Sequence, residues 1–162
     1  DGTAQVAARG LHFPNGGVIT PDGRYLVAET FGNRISAFDI DGDGVLVEHR
    51  VWAQFADLPR TETLRMTMQD AVVTPDGMCL DAEGALWVAD TSARRVIRVG
   101  EGGGILDEVE TEAAAFACML GGEDGRTLFI CTSPDYFVEA RKAARESMLV
   151  AVRVDVPHAG RP

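Results

Sequence analysis

The chain has 162 residues, enough for one domain with a sizeable core. Apolar residues make up 46% and charged residues 25%, an ordinary globular balance, and no stretch approaches the ~20 apolar residues of a membrane span. A formal net charge of −10 argues against a nucleic-acid or anionic-membrane partner, either of which requires a basic patch.

In chain order, Ala4–Leu11 reads as an orphan strand. Gly16–Thr20 is a strand, Pro21-Asp22-Gly23 a turn and Arg24–Glu29 a strand. Asn33–Ile40 is a strand, Asp41-Gly42-Asp43-Gly44 a turn and Val45–Ala53 a strand. The polar, Met-containing stretch Asp57–Ala71 is a long loop. Met78–Leu80, Ala85–Ala89, Arg95–Val99 and Ile105–Glu110 repeat the four-strand pattern. Phe116–Gly121, Thr127–Cys131 and Met148–Val154 begin a third copy, interrupted by Tyr136–Glu146, whose composition and apolar spacing are helical.

The copies agree in their turn chemistry. Thr20-Pro-Asp-Gly-Arg-Tyr-Leu-Val-Ala-Glu-Thr30 matches Asp81-Ala-Glu-Gly-Ala-Leu-Trp-Val-Ala-Asp-Thr91 at an offset of 61. Glu123-Asp-Gly-Arg-Thr-Leu-Phe-Ile-Cys-Thr132 is a weaker third copy with one extra residue after its glycine. A sandwich would also supply many short strands, but would not repeat one turn chemistry in register. The fold class is therefore all-β, a β-propeller of four-stranded antiparallel blades. About three blades leave open sheet edges, so the expectation is a partial β-propeller over residues 1–162, half of a single domain.

Asn15-Gly16 and Asp76-Gly77 sit at the start of the first strand of units one and two, again 61 apart. First strands line a propeller's central channel, so Asn15 and Asp76 would converge on its axis. The third such position falls near Ala117, which cannot ligate anything. An amide oxygen and a carboxylate with no His or Cys beside them suit a hard cation: Ca2+ first, with Mg2+, Mn2+ or Zn2+ as alternatives. Asn-Gly and Pro-Asp-Gly are also ordinary turn sequences, and spacing alone leaves both readings open.

Other candidates are weaker. Asp39-Ile-Asp-Gly-Asp-Gly44 opens like an EF-hand loop, but Arg50 stands where its bidentate Glu belongs, and strands flank it. His12, His49 and His158 are scattered. Glu29 and Asp90, ending equivalent second strands, read as acceptors for neighbouring turns. Cys118 and Met119, beside the third channel position, are candidate pocket-lining, substrate-binding residues. Cys79, Cys118 and Cys131 are an odd number at wide spacing, and read as buried free thiols in a reducing, cytoplasmic setting.

Phe13-Pro-Asn-Gly16, Thr20-Pro-Asp-Gly-Arg24, Ala28-Glu-Thr30, Pro75-Asp-Gly-Met-Cys-Leu-Asp-Ala-Glu-Gly-Ala-Leu-Trp-Val-Ala-Asp90 and Gly121-Gly122 to Thr132 together resemble the SMP-30/gluconolactonase/LRE-like family. The resemblance runs from about Val6 to Val156 and matches the chain to the family's C-terminal half. It implies a six-bladed propeller with one divalent metal in its channel, held in part by Asn15 and Asp76. It further implies hydrolysis of a small sugar lactone, with Asp76 orienting a water and accepting its proton. The remaining ligands would belong to blades outside this sequence. A non-catalytic, metal-stabilised propeller that binds a ligand or protein is the alternative, as is a phosphotriesterase or arylesterase on the same scaffold. Neither the particular lactone nor the oligomeric state follows from the residues.

Overall fold

A computed structural model of the chain describes residues 2–60 and 62–160. The limits of the expected domain, 1 and 162, therefore lie outside the described residues, as does residue 61 of the predicted long loop. Three antiparallel sheets follow one another along the chain. The first joins β1 (Pro14–Ile19), β2 (Arg24–Glu29), β3 (Arg34–Ile40) and β4 (Leu46–Gln54) in that order. After α1 (Leu64–Asp70), the second joins β5 (Pro75–Leu80), β6 (Leu86–Asp90), β7 (Arg95–Val99) and β8 (Ile105–Glu110). The third has β9 (Ala114–Gly121), β10 (Thr127–Ser133) and, after α2 (Val138–Ala143), β11 (Met148–Arg153). Each sheet is a blade, and the predicted all-β, blade-repeat fold is the one observed.

The second blade is sandwiched between the other two, and β6 shows it. Every residue of Leu-Trp-Val-Ala-Asp is buried, as expected of a strand covered on both faces. Alternation then sorts its side chains. Leu86 and Val88 join Leu26, Ile35, Trp52 and Ile97 in the core shared with the first blade. Trp87 and Ala89 join Cys118, Leu120, Leu128 and Ile130 in the core shared with the third. The outer strand β8 is nearly all exposed and carries Asp107, Glu108 and Glu110.

Buried carboxylates pin the turns between second and third strands. Glu29, fully buried, accepts from Arg34 Nε at 2.8 Å, from the backbone N–H of His12 at 2.6 Å, and from the Ser36 hydroxyl. Burial pushes its carboxyl up, yet these donors together hold it below its usual range. Asp90 stands at the same place in the second blade and accepts from Arg95 Nε at 3.0 Å and from Thr74 N–H at 3.1 Å. Thr132 occupies that place in the third and donates to the Met148 carbonyl.

Three expectations change. Residues 4–11, expected as the outer strand of a preceding blade, form no strand, because a strand needs a ladder partner and no described strand pairs with this segment. The loop predicted over Asp57–Ala71 contains α1, capped by the Thr63 hydroxyl accepting from Met66 N–H at 3.2 Å. Cys131 is exposed rather than buried, because alternation turns it to the face of β10 away from the second blade, whereas Cys79 and Cys118 are buried as expected. The helical reading of Tyr136–Glu146 corresponds to α2.

Candidate channel site

The site begins with a bulge that recurs in each first strand. In β1, Pro14 pairs with Glu29 and Gly17 with Val27, so Asn15 and Gly16 together oppose Ala28. In β5, Pro75 pairs with Asp90 and Met78 with Val88, so Asp76 and Gly77 together oppose Ala89. One extra residue breaks the ladder and re-aims a side chain at the strand's start. In β9, Ala115 pairs with Thr132 and Ala117 with Cys131, which leaves Phe116 as the extra residue. The third equivalent bulge residue is thus Phe116, one residue before the place the sequence indicated.

Two glycines let the first strands lie against one another. A Cβ on Gly16 would meet the Asp76 carbonyl oxygen and lie 2.8 Å from Gly77 Cα. A Cβ on Gly77 would lie 2.7 Å from Ala117 Cα and 3.0 Å from the Phe116 carbonyl oxygen. Side chains at either place would force β1 from β5, or β5 from β9.

This approach brings Asn15 and Asp76 together. The Asn15 side chain and the Gly77 backbone N–H both act on the Asp76 carboxylate and favour its charged form. Burial nevertheless dominates and pushes the Asp76 carboxyl up to about 6, from 3.8. An amide oxygen and a neighbouring desolvated carboxylate are a donor set that fits a hard cation. Among the described residues, no group of three or more His, Cys, Asp and Glu side chains could hold a metal. Asn15 and Asp76 would accordingly supply only part of a metal's ligand set.

The strand directions fix what surrounds them. First strands start, second strands end and fourth strands end at one face of the blades, because neighbours are antiparallel. Both long insertions, 55–74 with α1 and 134–147 with α2, therefore emerge on the face that carries Asn15 and Asp76. Asn33 anchors the first of them. Its amide donates to the carbonyls of Asp57 at 2.9 Å and Asp70 at 3.1 Å, and its oxygen accepts from Val72 N–H at 2.8 Å. Sequence reading missed Asn33; its signal was an Asn in the left-handed region, matched 61 residues on by Arg94, also at positive φ.

The other candidates lie elsewhere. Cys118 is buried between the second and third blades, where its thiol meets the Trp87 carbonyl at 3.3 Å; contact with Cys79 and burial push that thiol well above its usual range. Met119 lines an apolar cavity of about 650 Å3 at the opposite ends of the first strands, with Ile19, Tyr25, Leu80 and His158. His49 stacks on Phe38 at 4.9 Å. The Asp41 carboxylate accepts from Val45 N–H at 2.8 Å, so the EF-hand-like segment is a hairpin turn.

Comparison with known proteins follows the same lines. A family model described as the SMP-30/Gluconolactonase/LRE-like region matches residues 1–134. A 6-deoxy-6-sulfogluconolactonase of Pseudomonas putida is 27% identical over 98% of this chain and 52% of its own length. A regucalcin of Danio rerio is 30% identical over 84% of this chain and 43% of its own. The structure of a calcium-binding regucalcin from Agrobacterium tumefaciens superimposes with a TM-score of 0.65 at 20% identity, covering 91% of this chain and 47% of the other. The chain thus spans about half the length of the relatives it matches.

Proposed function

This chain belongs to the SMP-30/gluconolactonase/LRE-like family, and from that premise we propose that the protein is a metal-dependent hydrolase that opens sugar lactones in its propeller channel. The placement of Asn15 and Asp76 at equivalent bulges of adjacent first strands, where the Asn15 side chain acts on the Asp76 carboxyl, carries this reading. It is supported by a relative whose name is a sugar lactonase. The three blades are read as part of one propeller domain covering residues 1–162, in a cytoplasmic protein with a small-molecule lactone as its partner.

The Asn15 amide oxygen and the Asp76 carboxylate would hold one divalent cation, Ca2+ by the hardness of the donors. Such an ion, when bound, polarises an ester carbonyl and stabilises the oxyanion formed on attack. Two protein oxygens fall short of the six to eight that Ca2+ takes, so water or further blades complete the shell. Asp76 holds the attacking water and accepts its proton. Burial raises the basicity of this carboxylate and works against the depression a bound cation imposes.

The test is hydrolysis of glucono-1,5-lactone by the protein at its full natural length, with and without EDTA. The expected result is turnover that EDTA abolishes, Ca2+ restores and Asp76→Ala removes. EDTA-insensitive turnover, or full activity in Asp76→Ala, overturns the assignment. Metal binding without turnover of lactones, aryl esters or phosphotriesters would identify a non-catalytic propeller instead.

A further inference from the structure

The three first strands repeat one spatial relation, and its third member is not an oxygen ligand. Gly16 of β1 approaches the carbonyl of Asp76 and the Cα of Gly77; Gly77 of β5 approaches the carbonyl of Phe116 and the Cα of Ala117 in the same way. Phe116 therefore stands to β5 as Asp76 stands to β1. The ladders agree, since Cys118 pairs with Ile130 as Met78 pairs with Val88. Asn15, Asp76 and Phe116 are the extra residues of three equivalent bulges. Phe116 is half-buried, which is open for a phenylalanine at a strand's start.

We propose that Phe116 faces the channel mouth beside Asp76 as the apolar wall of the site, and that it is a specificity residue holding the carbon face of a lactone ring. The inference rests on the lactonase reading for its substrate and on bulge equivalence for its geometry. The aromatic face is electron-rich and attracts the weakly positive C–H groups that a sugar lactone presents on one side of its ring. Opposite it, the oxygens of Asn15 and Asp76 serve the polar carbonyl. The third blade thus gives the mouth an asymmetry that a ring of oxygens would lack, and substrate enters in one orientation.

Two measurements decide it. Terbium(III) luminescence titration of the chain reads the placement of residue 116. Phe116→Asp should tighten Tb3+ at least about tenfold by adding a carboxylate to the two oxygens present. Phe116→Asn, the milder substitution, should tighten it less, and Phe116→Ala should leave it unchanged. If neither oxygen-bearing variant gains affinity, Phe116 does not face the site and the proposal fails. Kinetics with glucono-1,5-lactone, on the protein at its full natural length, read the role. Phe116→Ala should raise KM about tenfold with kcat little changed, and Phe116→Tyr should restore KM. An active wild type whose KM is indifferent to Phe116→Ala overturns the wall alone. A wild type that turns over no lactone overturns the lactonase reading and the wall with it.

Discussion

The second and third blades share a turn-and-strand plan through their first three strands, and two of their differences bear on the channel. The second has Asp76 at its bulge and a buried Asp90–Arg95 pair at the end of β6. The third has Phe116 at its bulge and Thr132 at the matching place in β10. Both pack through the same alternating core, with Val88 and Ile130 in equivalent register. Blade architecture and channel chemistry are therefore separable. Apolar alternation and turns build the blade, while the bulge residue differs between blades and, on the proposed reading, decides what each contributes to the axis.

Several substitutions would sharpen or break that separation. The largest effect belongs to Asp76→Ala, which should lower lactone turnover by about 10³-fold with the fold intact, read by kinetics and circular dichroism. Next comes the buried pair. Asp90→Ala leaves Arg95 its pair with Glu108 but removes the acceptor of Arg95 Nε and of the buried Thr74 N–H, and should cost about 1–3 kcal/mol in urea denaturation. Thr132→Ala loses one neutral hydrogen bond and should cost about 1 kcal/mol. Equal costs would mean that the third blade depends on its polar corner as the second does.

Gly77→Ala should cost about 1–3 kcal/mol, because its methyl group would sit 2.7 Å from Ala117 Cα. Gly42→Ala, on an open turn, should change stability by less than about 0.5 kcal/mol. A further effect is in pH. Asp76, raised to about 6 from 3.8, favours the protonated form in the metal-free fold. Its contribution to stability is full below about pH 4 and is lost as pH rises through 6. Cation binding runs oppositely. Affinity for Tb3+ should fall as pH is lowered through 6, toward tenfold per unit below it, since one proton competes with the ion. A flat Tb3+ affinity between pH 5 and 7 would remove Asp76 from the ligand set.

The blades were legible where local chemistry repeats. Asp22-Gly23 and Glu83-Gly84 mark hairpins, each glycine at positive φ, and the strands around them fall within a few residues of expectation. α1 was hidden because a seven-residue helix is marginal in isolation. It is held by Thr63, by the Asn33 amide and by the Arg60–Asp70 ion pair, partners far apart in the chain. Asn15 and Asp76 were legible because a glycine follows each at the same offset. Phe116 was not, because Ala117 replaces that glycine and the third copy carries an extra residue in its hairpin. Only ladder pairing restores its register.

Asn33 gives the insertion before β5 an unusual character. One side chain holds both ends of the segment, at Asp57 and at Asp70. What lies between is a closed cassette, whose closure entropy rises by only about 0.6 kcal/mol per doubling of length. Its interior can be exchanged or extended without asking the blades to move. It opens on the face that carries Asn15 and Asp76, so on the proposed reading a new rim for the channel can be grafted there while those two residues stay in place.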